Sequence, residues 1–142
     1  MSGNRPILLV EDNPMDVDLT RRAFAKRNLC NPLAVARDGE EALAWMAKVE
    51  AGELLPAVIL LDLKLPKVPG LEVLRQFKAH PIMSRAPVVI LTTSREDADI
   101  EQAYALGVNS YIVKPVEFEK FIDVAAQIDL YWCVLNQGAT GR

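Results

Sequence analysis

The sequence predicts an α/β domain in which short parallel strands alternate with helices. Five short apolar runs predict the strands, at residues 7–10, 33–36, 57–61, 87–91 and 110–113. Each run is followed by a segment whose apolar residues recur at helical spacing. Strands and helices that alternate in this way favour a parallel sheet with helices on both faces and right-handed crossovers. The runs at 57–61 and 87–91 are continuously apolar, which is typical of strands buried on both faces.

The first two helices begin at recognisable capping residues. Asn13 can cap a helix whose first position suits Pro14, and this helix is predicted to run to about Asn28. Its inward residues are predicted to be Val17, Ala23 and Phe24. The turn at Asp38-Gly39 precedes a second helix over 40–50. Its inward residues are predicted to be Leu43, Met46 and Ala47.

Glycine and proline mark the limits of the remaining helices. The third begins near Gly70 and ends before Pro81, with Leu71, Leu74 and Phe77 facing inward. The fourth is predicted over about 96–106, because Gly107 is a typical residue just past a helix C-terminus. A final helix is predicted from 117 to about 136.

Composition excludes several classes of protein. The chain has 142 residues, about one domain, and at 51% hydrophobic it can bury a core. Its 16 basic and 19 acidic residues give a net charge of −3, which argues against nucleic-acid binding by the whole domain. No apolar run approaches the roughly 20 residues of a membrane span, and no signal peptide is visible. We therefore predict a cytoplasmic protein that binds no membrane, with Cys30 and Cys133 as free thiols.

Polar residues follow the predicted strands at the point where each strand ends. Glu11 and Asp12 follow the first strand, Asp62 follows the third, and Lys114 follows the fifth. Thr92, Thr93 and Ser94 follow the fourth strand. Ligands of open α/β sheets bind at the carboxyl ends of the strands, so these side chains are expected to share one site.

The predicted cluster has the residue types needed for phosphoryl transfer to a carboxylate. Three carboxylates in one pocket repel one another and favour a hard cation such as Mg²⁺. Lys114 supplies a fixed positive charge and Thr92 a hydroxyl donor. Asp62 is then a competent acceptor for a phosphoryl group, whose charge the cation and Lys114 would neutralise during transfer.

Four segments together resemble the receiver domain of two-component response regulators. They are LLVEDN (8–13), LLDLKLPKVPG (60–70), VVILTTS (88–94) and SYIVKP (110–115). The resemblance extends from about Pro6 to about Tyr131. It implies a doubly wound (βα)5, flavodoxin-like fold with strand order 2-1-3-4-5. It also implies a signalling protein that catalyses only its own phosphorylation and dephosphorylation, rather than an enzyme with other substrates.

The resemblance implies a role for each site residue. Asp62 is the phosphoacceptor, and Thr92 and Lys114 contact the phosphoryl group. Mg²⁺ is held by Glu11, Asp12, Asp62 and the backbone carbonyl of Lys64. Tyr111 and Thr92 form the switch, with the Tyr111 ring turning from outside to inside on phosphorylation. The residues expected to tune the reaction rates are Lys64, Thr93 and Ser94.

The C-terminal segment is predicted to carry a partner face. We expect a receiver domain over 1–136 with an extended C-terminal helix, and a flexible tail over 137–142. The apolar residues beyond the core stripe of that helix that are candidates for this face are Leu130, Tyr131, Val134 and Leu135. The ending DLYWCVLN resembles single-domain receivers associated with bacterial phytochromes and similar sensor histidine kinases. Because those receivers tend to pair through this region, the resemblance implies a homodimer.

The partner implied by the resemblance is a sensor histidine kinase. Kinase specificity is expected on Asp16, Leu19, Thr20, Ala23 and Val116, whereas His80 is expected to be merely exposed. The output is expected to be a conformational or dimerisation change, or contact with a downstream protein. Alternatives are a phosphorelay intermediate that passes the group to a histidine phosphotransfer protein, and a non-enzymatic adaptor of the same fold.

Two other classes that use a similar sheet fit less well. An Asp-nucleophile phosphatase of the haloacid-dehalogenase type normally has a second Asp two residues after the nucleophile, where this chain has Lys64. A flavodoxin-like flavin carrier needs a phosphate-binding loop after the first strand, but Glu11 and Asp12 there would repel a phosphate.

Overall fold

The fold is an alternation of strands and helices along the chain. The computed structural model describes residues 5–28, 31–114, 117, 119–120, 122–123 and 126. The strands are β1 (Ile7–Val10), β2 (Leu33–Ala36), β3 (Val58–Leu61), β4 (Val88–Thr92) and β5 (Ser110–Val113). The helices are α1 (Pro14–Lys26), α2 (Gly39–Glu50), α3 (Gly70–Ala79) and α4 (Asp97–Ala105), with a 3₁₀ turn at Met83–Arg85.

The five strands form one parallel sheet in the order β2-β1-β3-β4-β5. This order confirms the fold class that the sequence predicts. The register pairs Val10 with Leu61 and Thr92 with Val113, so β1 ends level with β3 and β4 ends level with β5. The strand order reverses at β1, which is the position where open α/β sheets bind their ligands.

Alternate residues of each strand enter separate cores on the two faces of the sheet. On one face, Leu8, Ile59 and Ile90 pack with residues of α2, α3 and α4. On the other, Leu9 and Leu60 pack with residues of α1. The central strands β1, β3 and β4 are buried throughout, as continuously apolar runs predict. A rigid two-sided core therefore fixes where the strand ends lie.

The predictions for α1 are confirmed, with a small difference in length. Val17, Ala23 and Phe24 are buried, and the side chain of Asn13 caps the helix by accepting from the backbone N–H groups of Met15 and Asp16. The helix ends at Lys26 rather than near Asn28. The backbone at Asn28 takes a left-handed conformation, with φ of 57°, which ends the helical path.

The predicted inner face of α2 is confirmed only in part, because Leu43 and Met46 pack against the core but are not the most buried residues of the helix. Ala42, Trp45 and Val49 are its buried apolar residues, whereas Leu43 and Met46 are only partly buried and Ala47 is exposed. Nearly every turn of this helix carries apolar residues, so periodicity alone does not choose a face. The helix also begins one residue earlier than predicted, at Gly39, where a Cβ atom would lie 2.3 Å from the carbonyl oxygen of Val68.

The later elements agree with prediction to within about a residue at most ends. α3 begins at Gly70, and α4 is followed by Gly107, whose φ is 95°. β3 begins at Val58 rather than at residue 57, and β4 extends to include Thr92. Thr92 is therefore the last residue of its strand and not the first residue of the following loop.

Most of the predicted final helix lies outside the described residues. This includes all four candidates for a dimer interface, Leu130, Tyr131, Val134 and Leu135. The extended helix, the tail and the dimer therefore remain predictions. Among the described residues, no helix combines the length and the apolar character that crossing a membrane requires.

Candidate functional site

The carboxyl ends of four strands bring the predicted site residues together. Glu11 directly follows β1, Asp62 follows β3, Thr92 ends β4 and Lys114 follows β5. Backbone hydrogen bonds extend the sheet past the strand ends, from Asp62 N–H to the Val10 carbonyl (3.0 Å) and from Lys114 N–H to the Thr92 carbonyl (2.7 Å). The backbone hydrogen bonds that join the strands therefore also position Asp62 and Lys114.

The ammonium group of Lys114 lies at the centre of the cluster. Its Nζ donates to Glu11 Oε1 at 2.8 Å, to Asp16 Oδ2 at 2.8 Å and to Asp62 Oδ2 at 3.2 Å. Lys114, Glu11 and Asp62 are all buried. A lysine ammonium has three N–H donors, so each of them has a carboxylate partner. These contacts offset the cost of burying the charges, which would be several kcal/mol for an unpaired ion.

Burial and pairing shift the pKa values of this cluster. Burial raises the pKa of the Glu11 carboxyl to about 7, although the hydrogen bond from Lys114 opposes the rise. For Lys114, burial acts to lower the pKa, but hydrogen bonds to Asp16 and Glu11 outweigh it and the pKa is raised. Lys114 therefore stays charged, and the protonation of Glu11 changes near neutral pH.

Three carboxylates of the cluster form a set of ligands suited to a divalent cation. Glu11, Asp12 and Asp62 each offer a carboxylate oxygen, and these oxygens lie within 4.8 Å of one another. All-oxygen donors are the ligands that hard divalent cations prefer. Asp12 is exposed, so the cluster is open to solvent on that side. The residues present thus fit a divalent metal ion.

The loop after β3 positions the carboxylate of Asp62. The backbone N–H of Lys64 donates to Asp62 Oδ1 at 3.0 Å, while Oδ2 accepts from Lys114. Gly70 closes this loop with a hydrogen bond from its N–H to the carbonyl of Leu63 (2.9 Å). A Cβ atom at Gly70 would lie 2.4 Å from the carbonyl oxygen of Asp62, so only glycine permits so close an approach.

On the β4 and β5 side, the site consists of hydroxyl groups bound to a loop. The hydroxyl of Thr92 accepts from the Ser94 N–H at 3.5 Å, and both residues are buried. Ser94 also donates its hydroxyl to Asp99 on α4, at 2.5 Å. The half-buried Tyr111 donates its hydroxyl to the carbonyl oxygen of Ser94 at 3.0 Å. The hydroxyl of Tyr111 is thus bound to the loop without phosphorylation, and the turning of its ring on phosphorylation remains a prediction.

The residues expected to tune reaction rates border one cavity. Lys64, Thr93 and Ser94 line it together with Arg95 and Glu96, and its volume is about 350 Å³. It lies between the loop after β3 and the loop after β4. The effect of Lys64, Thr93 and Ser94 on the reaction rates remains a prediction.

Two predictions outside the cluster are wrong. Thr20 and Ala23 are buried within the fold, at 1% and 0% exposure, so they do not form a recognition surface on α1. His80 is not simply exposed, because its Nδ1 accepts from the backbone N–H groups of Ile82 and Met83, and its Nε2 lies 2.6 Å from Glu50 Oε2. It joins the end of α3 to the end of α2.

Sequence reasoning missed Asp16 as a member of the cluster. Asp16 and Lys114 are far apart in sequence, at a separation of 98 residues. No local pattern signals such a pair, because it depends on where the start of α1 lies relative to β5. The positioning role of Gly70 was also missed, although the residue belongs to a segment that supports the family resemblance.

Comparisons with known proteins agree with this geometry. The family model of the response regulator receiver domain matches residues 7–126. The probable methanogenesis regulatory protein FilR2 of Methanothrix harundinacea is 43% identical over 92% of this chain and 85% of its own length.

Solved structures of three receivers are similar over most of the chain. The phosphorylated cyanobacterial phytochrome response regulator RcpA is 38% identical with a TM-score of 0.82, covering 92% of this chain and 95% of that one. The bacteriophytochrome response regulator AtBRR is 49% identical with a TM-score of 0.72, covering 93% and 97%. The Mn²⁺-bound form of Rcp1 is 35% identical with a TM-score of 0.80, covering 92% and 96%. This chain therefore belongs to the family of response regulator receiver domains.

Proposed function

We propose that this chain is a cytoplasmic receiver that accepts a phosphoryl group on Asp62 from the phosphohistidine of a sensor histidine kinase. The observation that carries the proposal is the buried contact of Lys114 with both Glu11 and Asp62. A fold that merely needed stability would gain little from such charges, since a buried ion pair is often no better than an apolar pair. This also argues against a purely structural adaptor.

In the proposed reaction, a carboxylate oxygen of Asp62 attacks the phosphorus atom. A P–O bond forms, the P–N bond to the donor histidine breaks, and the histidine nitrogen keeps the electron pair. The second Asp62 oxygen stays held by a neighbouring N–H donor, because Lys64 and Lys114 bind different oxygens. Lys114 then faces the charge that develops on the transferred group.

The metal proposed for this site is Mg²⁺, held by Glu11, Asp12 and Asp62 and by the backbone carbonyl of Lys64. When bound, it supplies positive charge next to the phosphoryl oxygens. The ligand oxygens within 4.8 Å of one another support this assignment. The similar structure of Rcp1 is of a Mn²⁺-bound form, which supports a divalent ion at such a site.

We propose that the signal passes through the loop after β4. Thr92 would donate to a phosphoryl oxygen, which would end its present contact with the Ser94 N–H. The hydrogen bond between Tyr111 and the Ser94 carbonyl would then adjust with the loop. The output would be a changed surface on α4 and β5, or a change in the proposed dimer, as a population shift between two states.

The kinase that acts on this chain is proposed to be phytochrome-like. The similarity to RcpA and AtBRR, which are described as phytochrome and bacteriophytochrome response regulators, supports this assignment. FilR2, a relative of similar identity, is a probable methanogenesis regulatory protein. Sequence similarity alone therefore does not decide the input signal. Onward transfer to a histidine phosphotransfer protein is the second candidate for the output.

Phosphorylation by a small donor tests the acceptor assignment. Phosphoramidate offers a P–N bond like that of phosphohistidine, and peptide mass mapping locates the added group. We expect one phosphoryl group on Asp62 with Mg²⁺, none after chelation and none in Asp62→Asn. The control Asp18→Asn removes an exposed carboxylate of α1 and should behave as wild type. Uptake by Asp62→Asn at the wild-type rate would contradict the proposal.

Light-scattering mass tests the proposed dimer. The purified chain is measured with Mg²⁺, before and after addition of beryllofluoride, which mimics the phosphoryl group. A dimer in both states would support a constitutive dimer, and a change between states would make assembly the output. A monomer in both states would exclude the dimer.

A further inference from the structure

Asp16 contacts the Lys114 ammonium from a helix that carries none of the predicted phosphorylation-site residues. Its Oδ2 atom lies 2.8 Å from Lys114 Nζ, as close as the Glu11 carboxylate. Asp16 is the third residue of α1, which begins at Pro14. The contact joins the start of α1 to the end of β5.

The local hydrogen bonds around Asp16 show that its side chain is not used for capping. An acidic residue at this helix position often accepts from the backbone N–H of the N-cap residue. Here the N-cap is Asn13, and its N–H donates instead to Glu11 Oε2 at 3.2 Å. Glu11 therefore takes the capping contact, and the Asp16 carboxylate is left to bind Lys114.

The donors of Lys114 are fully used by its three carboxylates, so binding a phosphoryl oxygen requires releasing one of them. The side chains of Glu11 and Asp62 are 3% and 7% exposed, whereas that of Asp16 is 27% exposed. Water can replace Lys114 at the more exposed carboxylate, which makes Asp16 the partner that costs least to release.

We propose that Asp16 is a positioning residue that holds Lys114 in the unphosphorylated state and competes with the phosphoryl group for it. This inference rests on the proposed function of Asp62. Phosphorylation would transfer one Lys114 donor from Asp16 to a phosphoryl oxygen, and so release the start of α1 from β5. The start of α1 would then report the state of the site.

The affinity for beryllofluoride at saturating Mg²⁺ tests the competition. Removal of the Asp16 charge destabilises only the unphosphorylated state, so Asp16→Asn should bind beryllofluoride roughly three- to tenfold more tightly than wild type. Asp18→Asn is the matched control, because it makes the same change of charge on an exposed position of the same helix. Asp16→Glu keeps the carboxylate and should restore most of the wild-type affinity.

A second readout follows the Lys114 ammonium group directly. With lysine labelled by ¹⁵N, the Lys114 ζ signal, assigned with Lys114→Arg, should move on addition of beryllofluoride to wild type. In Asp16→Asn the signal without beryllofluoride should already be displaced from its wild-type position. Loss of a merely structural contact would lower the unfolding temperature without tightening beryllofluoride binding.

The outcomes separate this inference from the proposed function. Equal affinities in Asp16→Asn and Asp18→Asn, or weaker binding in Asp16→Asn, would overturn the competition while leaving Asp62 as the acceptor. A wild-type Lys114 signal that beryllofluoride does not move would also overturn it. Failure of the wild type to bind beryllofluoride, although Asp62 and Mg²⁺ are intact, would overturn the proposed function itself.

Discussion

The two sides of the candidate site are held in different ways. We call the ends of β1 and β3 the metal side, where Glu11, Asp12 and Asp62 offer carboxylates to a cation. We call the ends of β4 and β5 the switch side, where Thr92 and Tyr111 bind the loop at Ser94. Lys114 follows β5 but reaches across to the carboxylates of the metal side.

The difference between the sides indicates a division of roles. The buried carboxylates of the metal side depend on the Lys114 ammonium, so moving that cation leaves them unpaired at a cost of several kcal/mol. On the switch side, the contacts of Thr92 and Tyr111 with the loop are neutral hydrogen bonds of about 1 kcal/mol each, which can exchange at small cost. The metal side is therefore suited to fixed chemistry, and the switch side to a change of shape.

The largest expected effect comes from removing the central cation. Lys114→Met leaves the carboxylates of Glu11 and Asp62 without their cation, so the free energy of unfolding should fall by about 3–5 kcal/mol above neutral pH. Urea denaturation of the metal-free protein measures the change. Lys26→Met, on the exposed end of α1, is the control and should change it little. Equal effects would mean that the cluster does not depend on Lys114.

The second prediction concerns the pH dependence of the metal-free protein. Because the pKa of Glu11 is raised to about 7 in the folded protein from 4.5, the folded state binds more protons between these values. The stability contribution of Glu11 therefore falls as pH rises through this range, by about 3 kcal/mol in total.

The variant Glu11→Gln isolates this contribution. It should be more stable than wild type at pH 8 and of similar stability near pH 5. Urea denaturation at both pH values measures the difference between the two proteins. If the difference in free energy of unfolding between Glu11→Gln and wild type did not change with pH, burial would not raise the pKa of Glu11.

The third prediction tests the backbone of the metal side. A methyl group at Gly70 would meet the carbonyl of Asp62, so Gly70→Ala should lower stability by about 1–3 kcal/mol and slow phosphorylation of Asp62. Gly52→Ala is the matched control, because Gly52 has a φ of 104° and no atom within 4 Å of an added Cβ. It should lose stability through backbone strain without a change in phosphorylation rate. Slowing of equal size in both variants would contradict the positioning role.

The smallest expected effect belongs to the switch side. Tyr111→Phe removes the hydrogen bond to the Ser94 carbonyl and should cost about 1 kcal/mol or less. Amide hydrogen exchange should become faster in the loop at 93–96, while uptake of a phosphoryl group by Asp62 stays intact. Tyr104→Phe, an exposed residue of α4, should leave exchange in the loop unchanged. Loss of phosphoryl uptake in Tyr111→Phe would contradict the division of roles.

Much of the fold could be predicted because strands of this sheet have a simple pattern. The run at 7–10 is buried throughout, so its limits follow from where apolar residues stop. The most buried face of α2 could not be predicted, because Trp45, Leu43 and Met46 are all apolar and all contact the core. The close approach of Gly39 to Val68 could not be predicted either, because it joins distant parts of the chain.

The candidate site could be predicted where it depends on strand ends and not where it depends on helix placement. Asp62 and Lys114 follow their strands directly, so the parallel sheet itself brings them together. Asp16 reaches the same ammonium only through the position of α1 over the sheet. The contacts of His80 were not predicted for a related reason. Its ring accepts from the backbone N–H groups of Ile82 and Met83, and these contacts depend on the conformation of the turn after α3.

The division of roles between the two sides is tested most directly by a structure of the protein with Mg²⁺ and beryllofluoride, compared with one of the metal-bound protein alone. We expect beryllofluoride on Asp62, with Glu11 and Asp12 unmoved and with new partners for Thr92 and Lys114. We also expect the loop at Ser94 to shift. Beryllofluoride on another residue, or a rearranged metal side beside an unchanged loop, would contradict this division of roles.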